Sequence, residues 1–410
     1  MKKNNVLFIL PFLPYPLISG GHQAIYNGIL AAKEYANVFI VYKLPTFRDV
    51  DCENRKKLEA VLPSVKLFCY KPTFVEKIKT RIYSRLINFA EKYFHGINKY
   101  FRYRSVGYNV QEKGYVDYVN KLINKYDIDV VQVEMCSVLS MVLSLPHSVK
   151  KVFVHHELRF ERDFLQLTLC NAPKQMFEQF EMNKMVEIGL LNRYNEIVVL
   201  SEDDRKKLQR EGVKTPILTS FAVVKTPQYD VSIDFDGKSL VFVGPEYHTP
   251  NKDGLVWFLQ YCWDKLLMKD NAYRLRIVGK WSEKTKKQWT REYKNIHFMG
   301  FVDDLYSVIN DAIMIVPVRV GSGIRMKILE AGIAGVPVVS TTVGAEGLQL
   351  VSGKHILIAD LADEFVLAVE KLKNSKDERR KIGENLKGVV SKNYSFNALC
   401  ENRKPIYTGL

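Results

Sequence analysis

A chain of 410 residues, 47% hydrophobic and 26% charged, is long enough for two domains with substantial cores and too apolar for a disordered protein. Its formal charge of +15 calls for an anionic partner, which a nucleotide, a nucleic acid or a membrane surface would supply. No run approaches the roughly 18 apolar residues of a membrane span, and nucleic acid is set aside because no recognition motif or glycine-rich basic tail accompanies the charge.

The chain opens with Lys2-Lys3 and the apolar run Val6 to Leu10, which imitates a signal peptide. Pro11, Pro14 and Pro16 interrupt it, and Gly20-Gly21 begins a helical pattern through Ala32, so a first strand and glycine turn are expected. Further strands are expected at Ala36 to Tyr42, Val65 to Tyr70, Val130 to Glu134, Lys151 to Val154 and Glu196 to Leu200. Strands separated by helical stretches imply a parallel, doubly wound α/β sheet. The six cysteines, Cys52, Cys69, Cys136, Cys170, Cys262 and Cys400, show no CxxC or metal-ligand spacing, so they read as thiols of a reducing, cytoplasmic compartment.

Between residues 74 and 104 the chain interleaves eight cations with aromatic residues, opposed only by Glu76 and Glu91. That pattern suits an interfacial helix on an anionic membrane, or an amphipathic helix whose aromatic residues are core. His155-His156-Glu157 follows a strand end, where ligands bind in such sheets. Of the two histidines, His156 is preferred as functional; a structural histidine is the competing reading. Glu134, also at a strand end, either lines a pocket or is a core-edge carboxylate.

After a linker over 223–238, a second unit begins at Ser239 to Val243. The uninterrupted apolar run Ala312 to Val318 predicts a strand buried on both faces, and Gly321 and Gly323 permit the backbone to approach a ligand. A helix is expected from about Ile324, with Arg325 and Lys327 in its first turn, where cations oppose the helix dipole unless an anion sits there. Glu330 lies on the same helix and suits the two hydroxyls of a ribose. The plainer alternative is a surface helix with a Lys327 to Glu330 ion pair.

The ordered series Val241-Phe242-Val243-Gly244, Pro250-Asn251-Lys252-Asp253, Leu275 to Gly279, Phe298 to Leu305, Gly321 to Ala331, Gly335 to Thr341 and Gly344 to Leu348 resembles the donor domain of GT-B glycosyltransferases. It is most similar to the group-1 retaining enzymes, glycosyltransferase family 4. The resemblance implies two Rossmann-like doubly wound domains facing across a cleft. They would be an acceptor-side domain over 1–222 and a nucleotide-sugar domain over 239–392, with a tail over 393–410 that packs back on the first. It implies transfer from a nucleotide-diphosphate sugar to a glycan or lipid-linked acceptor in cell-surface polysaccharide or glycolipid synthesis.

In the family, two glutamates are separated by seven intervening residues; Glu330 matches the second, which holds the ribose, and Ser322 replaces the first. An arginine and a lysine commonly follow the first donor-domain strand, where this chain has Pro245-Glu246-Tyr247-His248, with Lys252 further on. Much of the phosphate neutralisation therefore falls to Arg325 and Lys327, with Lys252 as a weaker candidate. Gly21, Gly244, Gly321, Ser322 and Gly323 are expected around the nucleotide, and His156 at the sugar. No nucleophilic carboxylate is evident for a double displacement. The Asp-x-Asp triplets at Asp49, Asp127 and Asp234 sit in no plausible donor site, so no metal and no cofactor are expected. An epimerase or hydrolase of the same fold, or a non-catalytic nucleotide-sugar-binding partner, remains as the alternative.

Overall fold

Apolar runs that do not alternate belong to strands covered on both faces, and they build two parallel sheets. The structure, a computed structural model, describes residues 3–17, 19–44, 51–72, 78, 82, 108–169, 171–221, 223, 235–321 and 324–409. The chain divides into two compact units, Met1–Phe221 with Leu399–Leu410, and Ala222–Ala398. The basic segment 74–104, apart from Ile78 and Ile82, and most of the 223–238 stretch lie outside the described residues, as do Ser322 and Gly323.

The first unit holds β1 (Asn5–Leu10), β2 (Asn37–Lys43), β3 (Lys66–Tyr70), β4 (Val130–Glu134), β5 (Lys150–His155), β6 (Glu196–Val199) and β7 (Ile217–Thr219). They pair in the order β3-β2-β1-β4-β5-β6-β7, all parallel. Alternate residues of each strand enter two cores. Leu7, Val41, Val133 and Phe153 point to one, and Phe8, Ile40, Val130 and Val154 to the other. The second core is closed by the Gly20–Tyr35 helix, through Ile25 and Ile29, and by Ile406 and Tyr407 of the Phe396–Thr408 helix.

The second unit repeats the plan with β8 (Ser239–Val243), β9 (Arg274–Val278), β10 (Ile296–Gly300), β11 (Ile313–Val316), β12 (Val338–Ser340) and β13 (Leu357–Ile358). Their order is β10-β9-β8-β11-β12-β13, again all parallel. In each sheet the strand order reverses once, between β1 and β4 and between β8 and β11. Loops leaving the carboxyl ends of those pairs diverge and open a crevice, the position at which doubly wound sheets bind ligands. Patterning does not reveal β7 and β13, which at three and two residues are too short to carry a period.

At the second crevice the Thr249–Phe258 helix presses on the loop after β11. A Cβ built on Gly254 would stand 2.3 Å from Pro317 O and 2.9 Å from its carbonyl carbon, and backbone there has nowhere to go. Gly254→Ala should therefore cost about 1–3 kcal/mol. All four tryptophans, Trp257, Trp263, Trp281 and Trp289, lie in the second unit, so their fluorescence during urea unfolding reads that unit alone. A midpoint equal to the parent's would mean that the helix can lift away from the loop.

Candidate functional site

The crevice between β8 and β11 begins at Gly244, whose φ of +156° favours glycine. A Cβ there would also meet the Asn251 amide at 2.5 Å, so the close approach alone already requires glycine. Asn251 is itself buried in the first turn of the Thr249–Phe258 helix, and its Nδ2 donates to Pro245 O at 3.3 Å. That bond turns Oδ1 the other way, where it accepts from Lys327 Nζ at 2.8 Å. Lys327 thus bridges the two sides of the crevice.

The Met326–Ala334 helix that carries Lys327 starts two residues later than the sequence pattern suggests. Arg325 is its N-cap, with φ −84° and ψ 95°, so it precedes the first turn. The helix stops where Gly335 takes φ +75°, as a left-handed cap requires. Gly321, at φ +111°, turns the chain out of the β11 loop, and Ser322 and Gly323 of the expected phosphate loop lie outside the described residues.

Lys327 makes no surface pair with Glu330. Its ammonium lies 4.7 Å from the centroid of the fully buried Phe242 ring, and although the residue as a whole is only half-buried, that end of it is removed from water. Desolvation, then the neighbouring Arg325 charge, push its pKa down to about 7 against the opposing pull of Glu330. An arriving anion would reverse that shift. Glu330 is half-buried one turn further along the helix.

Lys252, the weaker phosphate candidate, is occupied elsewhere. It donates to Glu246 at 2.9 Å, and Glu246 also accepts from Ser282 N at 2.7 Å and Thr285 Oγ1 at 2.7 Å. Partial burial acts to raise the Glu246 carboxyl, but the bonds from Lys252, Ser282 and Thr285 outweigh it and hold the pKa at about 2. Glu246 thereby neutralises Lys252.

In the first unit, Gly21 lies at the β1/β4 reversal. A Cβ there would be 2.9 Å from Met135 Cε, just past β4. Ser19 caps the Gly20–Tyr35 helix by accepting from His22 N, and its Oγ also meets His22 Nδ1 at 2.7 Å. The adjacent histidines face opposite sides of the sheet. His155 is buried against Glu187, Nε2 to Oε1 3.0 Å, and edge-on to Phe153. His156 meets Glu134, Nε2 to Oε2 2.5 Å, and Glu134 is wholly buried.

Sequence reasoning missed Gln132, Glu187, Asn251 and Tyr407. Gln132 was the accessible signal, a polar residue inside an otherwise apolar strand that must be given partners. The cysteine reading also lacked a spatial fact. Cys136, His155 and Glu187 offer ligand atoms within 4.8 Å of one another, so these three could hold a cation. Arg159 and Arg162 act electrostatically on Cys136, and their charge works against that use.

Residues 237–375, within the second unit, match the family described as Glycosyl transferases group 1. An uncharacterized 44.6 kDa protein in the cps region of Klebsiella pneumoniae is 25% identical over 225 residues, which span 52% of this chain and 56% of that relative. Among solved structures, TarM of S. aureus superimposes with a TM-score of 0.69 at 13% identity over 99% of both chains. HepE of Anabaena in complex with UDP-glucose gives 0.66 at 13% identity over 99% of this chain and 100% of its own. Sucrose-phosphate synthase of Thermosynechococcus elongatus gives 0.69 at 13% over 99% of each. The chain has the GT-B fold.

Lys327 makes anion binding pH-dependent in a fixed direction. An anion that raises its pKa above about 7 takes up a proton on binding, so affinity is level below that pH and falls as pH rises through it, by up to about tenfold per unit. Calorimetric titration of UDP-glucose, whose diphosphate does not titrate near neutrality, should show this slope. Lys327→Met should bind more weakly and lose the slope; an equally steep slope in that variant would assign the proton to another group.

Proposed function

Because residues 237–375 match the group 1 glycosyl transferases, we propose that the protein moves a sugar from a nucleotide-diphosphate sugar to an acceptor hydroxyl. Retention of anomeric configuration and membership of glycosyltransferase family 4 are part of the proposal. The observation that carries it is Lys327, a desolvated cation held by Asn251 and Phe242 beside a helix N-terminus at the β8/β11 reversal. The complexes of HepE with UDP and UDP-glucose and of TarM with UDP support a UDP-sugar donor. The cps-region relative favours capsular or other cell-surface polysaccharide as the product.

Bond breaking between the anomeric carbon and the diphosphate builds negative charge on the leaving group and oxocarbenium character on the sugar. Arg325, Lys327 and the N–H groups of the Met326–Ala334 helix stabilise the leaving group by charges already in position. Glu330 takes the ribose hydroxyls. The acceptor attacks on the leaving-group face, and the departing phosphate oxygen takes its proton, without a metal.

A second reading rests on the His156–Glu134 pair. An imidazole oriented by a carboxylate is the arrangement of a general base, and a base on the acceptor would allow direct inversion. Proton NMR of the first-formed anomer separates the two outcomes.

Single-turnover release of UDP from UDP-glucose, with and without a polyprenyl-linked glycan, tests the reaction class. Acceptor-dependent release marks the transferase, acceptor-independent release a hydrolase, and binding without release a non-catalytic partner. Arg325→Ala should slow release by about 10²- to 10³-fold while changing UDP affinity less, and Glu330→Ala should weaken UDP affinity by about tenfold or more. EDTA should change neither; loss of turnover restored by magnesium would remove the cationic leaving-group mechanism.

The proposal extends to the site of action, with residues 74–104 meeting the anionic inner face of a membrane. No helix among the described residues is long and apolar enough to cross one. Flotation with phosphatidylglycerol vesicles but not phosphatidylcholine vesicles is expected, and equal behaviour with both would count against a membrane role.

A further inference from the structure

A continuous run of buried side chains connects the C-terminal helix to His156 inside the first unit. Arg403 acts electrostatically on the Tyr407 hydroxyl, Tyr407 OH meets Gln132 Oε1 at 2.9 Å, Gln132 Nε2 meets Glu134 Oε1 at 2.6 Å, and Glu134 Oε2 meets His156 Nε2 at 2.5 Å. Arg403, Tyr407, Gln132 and Glu134 are each no more than 1% exposed. Water therefore does not choose the direction of these bonds; the groups choose it for one another.

The direction follows from which groups can only donate. A guanidinium has no acceptor, so the Tyr407 proton goes not to the neighbouring Arg403 but to Gln132. The Gln132 carbonyl receives it, which turns the amide NH₂ toward Glu134, an acceptor when ionised. With one oxygen satisfied by Gln132, the Glu134 carboxylate offers the other to His156, and the proton of that bond must come from Nε2. A neutral imidazole protonated on Nε2 keeps its lone pair on Nδ1. His156 Nδ1 is buried and has no partner among the described residues.

The first link depends on a glycine far from His156 in sequence. A Cβ on Gly28 would lie 2.5 Å from Arg403 Nη1, so the Gly20–Tyr35 helix leaves space for the guanidinium. Arg403 is anchored further by Nε donating to Ser220 Oγ at 3.0 Å. Backbone carbonyls near the helix end are also tied down, Tyr407 O by Asn4 Nδ2 at 2.7 Å and Ile406 O by Lys150 Nζ at 3.3 Å.

We infer that the C-terminal helix, through Tyr407, Gln132 and Glu134, holds His156 in its Nε2–H tautomer and keeps Nδ1 as the acceptor for a substrate hydroxyl. Tyr407 and Gln132 are then positioning residues for a reaction they do not touch. The inference rests on the proposed role of His156 at the substrate, and adds to it the device that selects the ring nitrogen. A network serving only to dock the helix would leave the histidine tautomer indifferent to Tyr407.

The test uses the full chain with its eight histidines labelled with ¹⁵N, and His156 assigned from its loss in His156→Asn. Multiple-bond proton–nitrogen spectra should report Nε2–H and a bare Nδ1 for His156. Tyr407→Phe, which removes one hydroxyl, should add an Nδ1–H population. It should also lower kcat for UDP release from UDP-glucose roughly three- to tenfold while KM stays within about twofold. Gln132→Met should enlarge both effects; if it fails to fold, Tyr407→Phe carries the comparison alone. An Nδ1–H tautomer in the parent, or a His156 spectrum unmoved by Tyr407→Phe, overturns the inference and leaves the role of His156 standing if His156→Asn is slow. Parent-like turnover by His156→Asn instead removes that role, and the positioning role with it.

Discussion

A cation without water needs either a counter-charge or a way to lose its proton, and Lys327 is held between these conditions. Its ammonium lies over the Phe242 ring and bonds one amide oxygen, neither of which replaces a hydration shell. Arg325 adds repulsion. The positive end of the helix adds more. Folding tolerates this because the surrounding apolar contacts are extensive, and the site is left with an affinity for anions that the same residues on a surface would lack.

The two sheets share one plan and place different side chains at its reversal point. Each reverses strand order beside its first strand, and each sends a glycine-bearing loop into a helix there. In the second unit the residues that meet at the reversal are cationic or amide. In the first they are a histidine and a buried carboxylate, linked to Gln132 and Tyr407.

Much of the architecture was legible because parallel strands covered on both faces give apolar runs, and glycines mark where they turn. Val6 to Leu10 and Ile313 to Val316 are found in place for that reason. Local rules misjudged the start of the Met326 helix, since nothing in the order Ile324-Arg325-Met326 shows that Arg325 takes extended backbone. They also missed partnerships made across large sequence distances. Asn251 with Lys327 and Tyr407 with Gln132 are contacts of tertiary structure, and no periodicity encodes them. Gln132 is the exception: a glutamine in the middle of a β-strand core announces a partner without naming it.

Charge balance links two departures of this chain from the family pattern it resembles. Where an arginine and a lysine commonly follow the first donor-domain strand, this chain has Glu246, which pairs with Lys252 and cancels its charge. In the proposed site Arg325 and Lys327 would face the diphosphate with Glu330 as the nearby anion, a balance of one positive charge. A glutamate at position 322 would bring that balance to zero and weaken the attraction for a dianion. Ser322 avoids it. Under the proposed function, the missing glutamate and the missing basic pair would be one electrostatic adjustment rather than two separate losses.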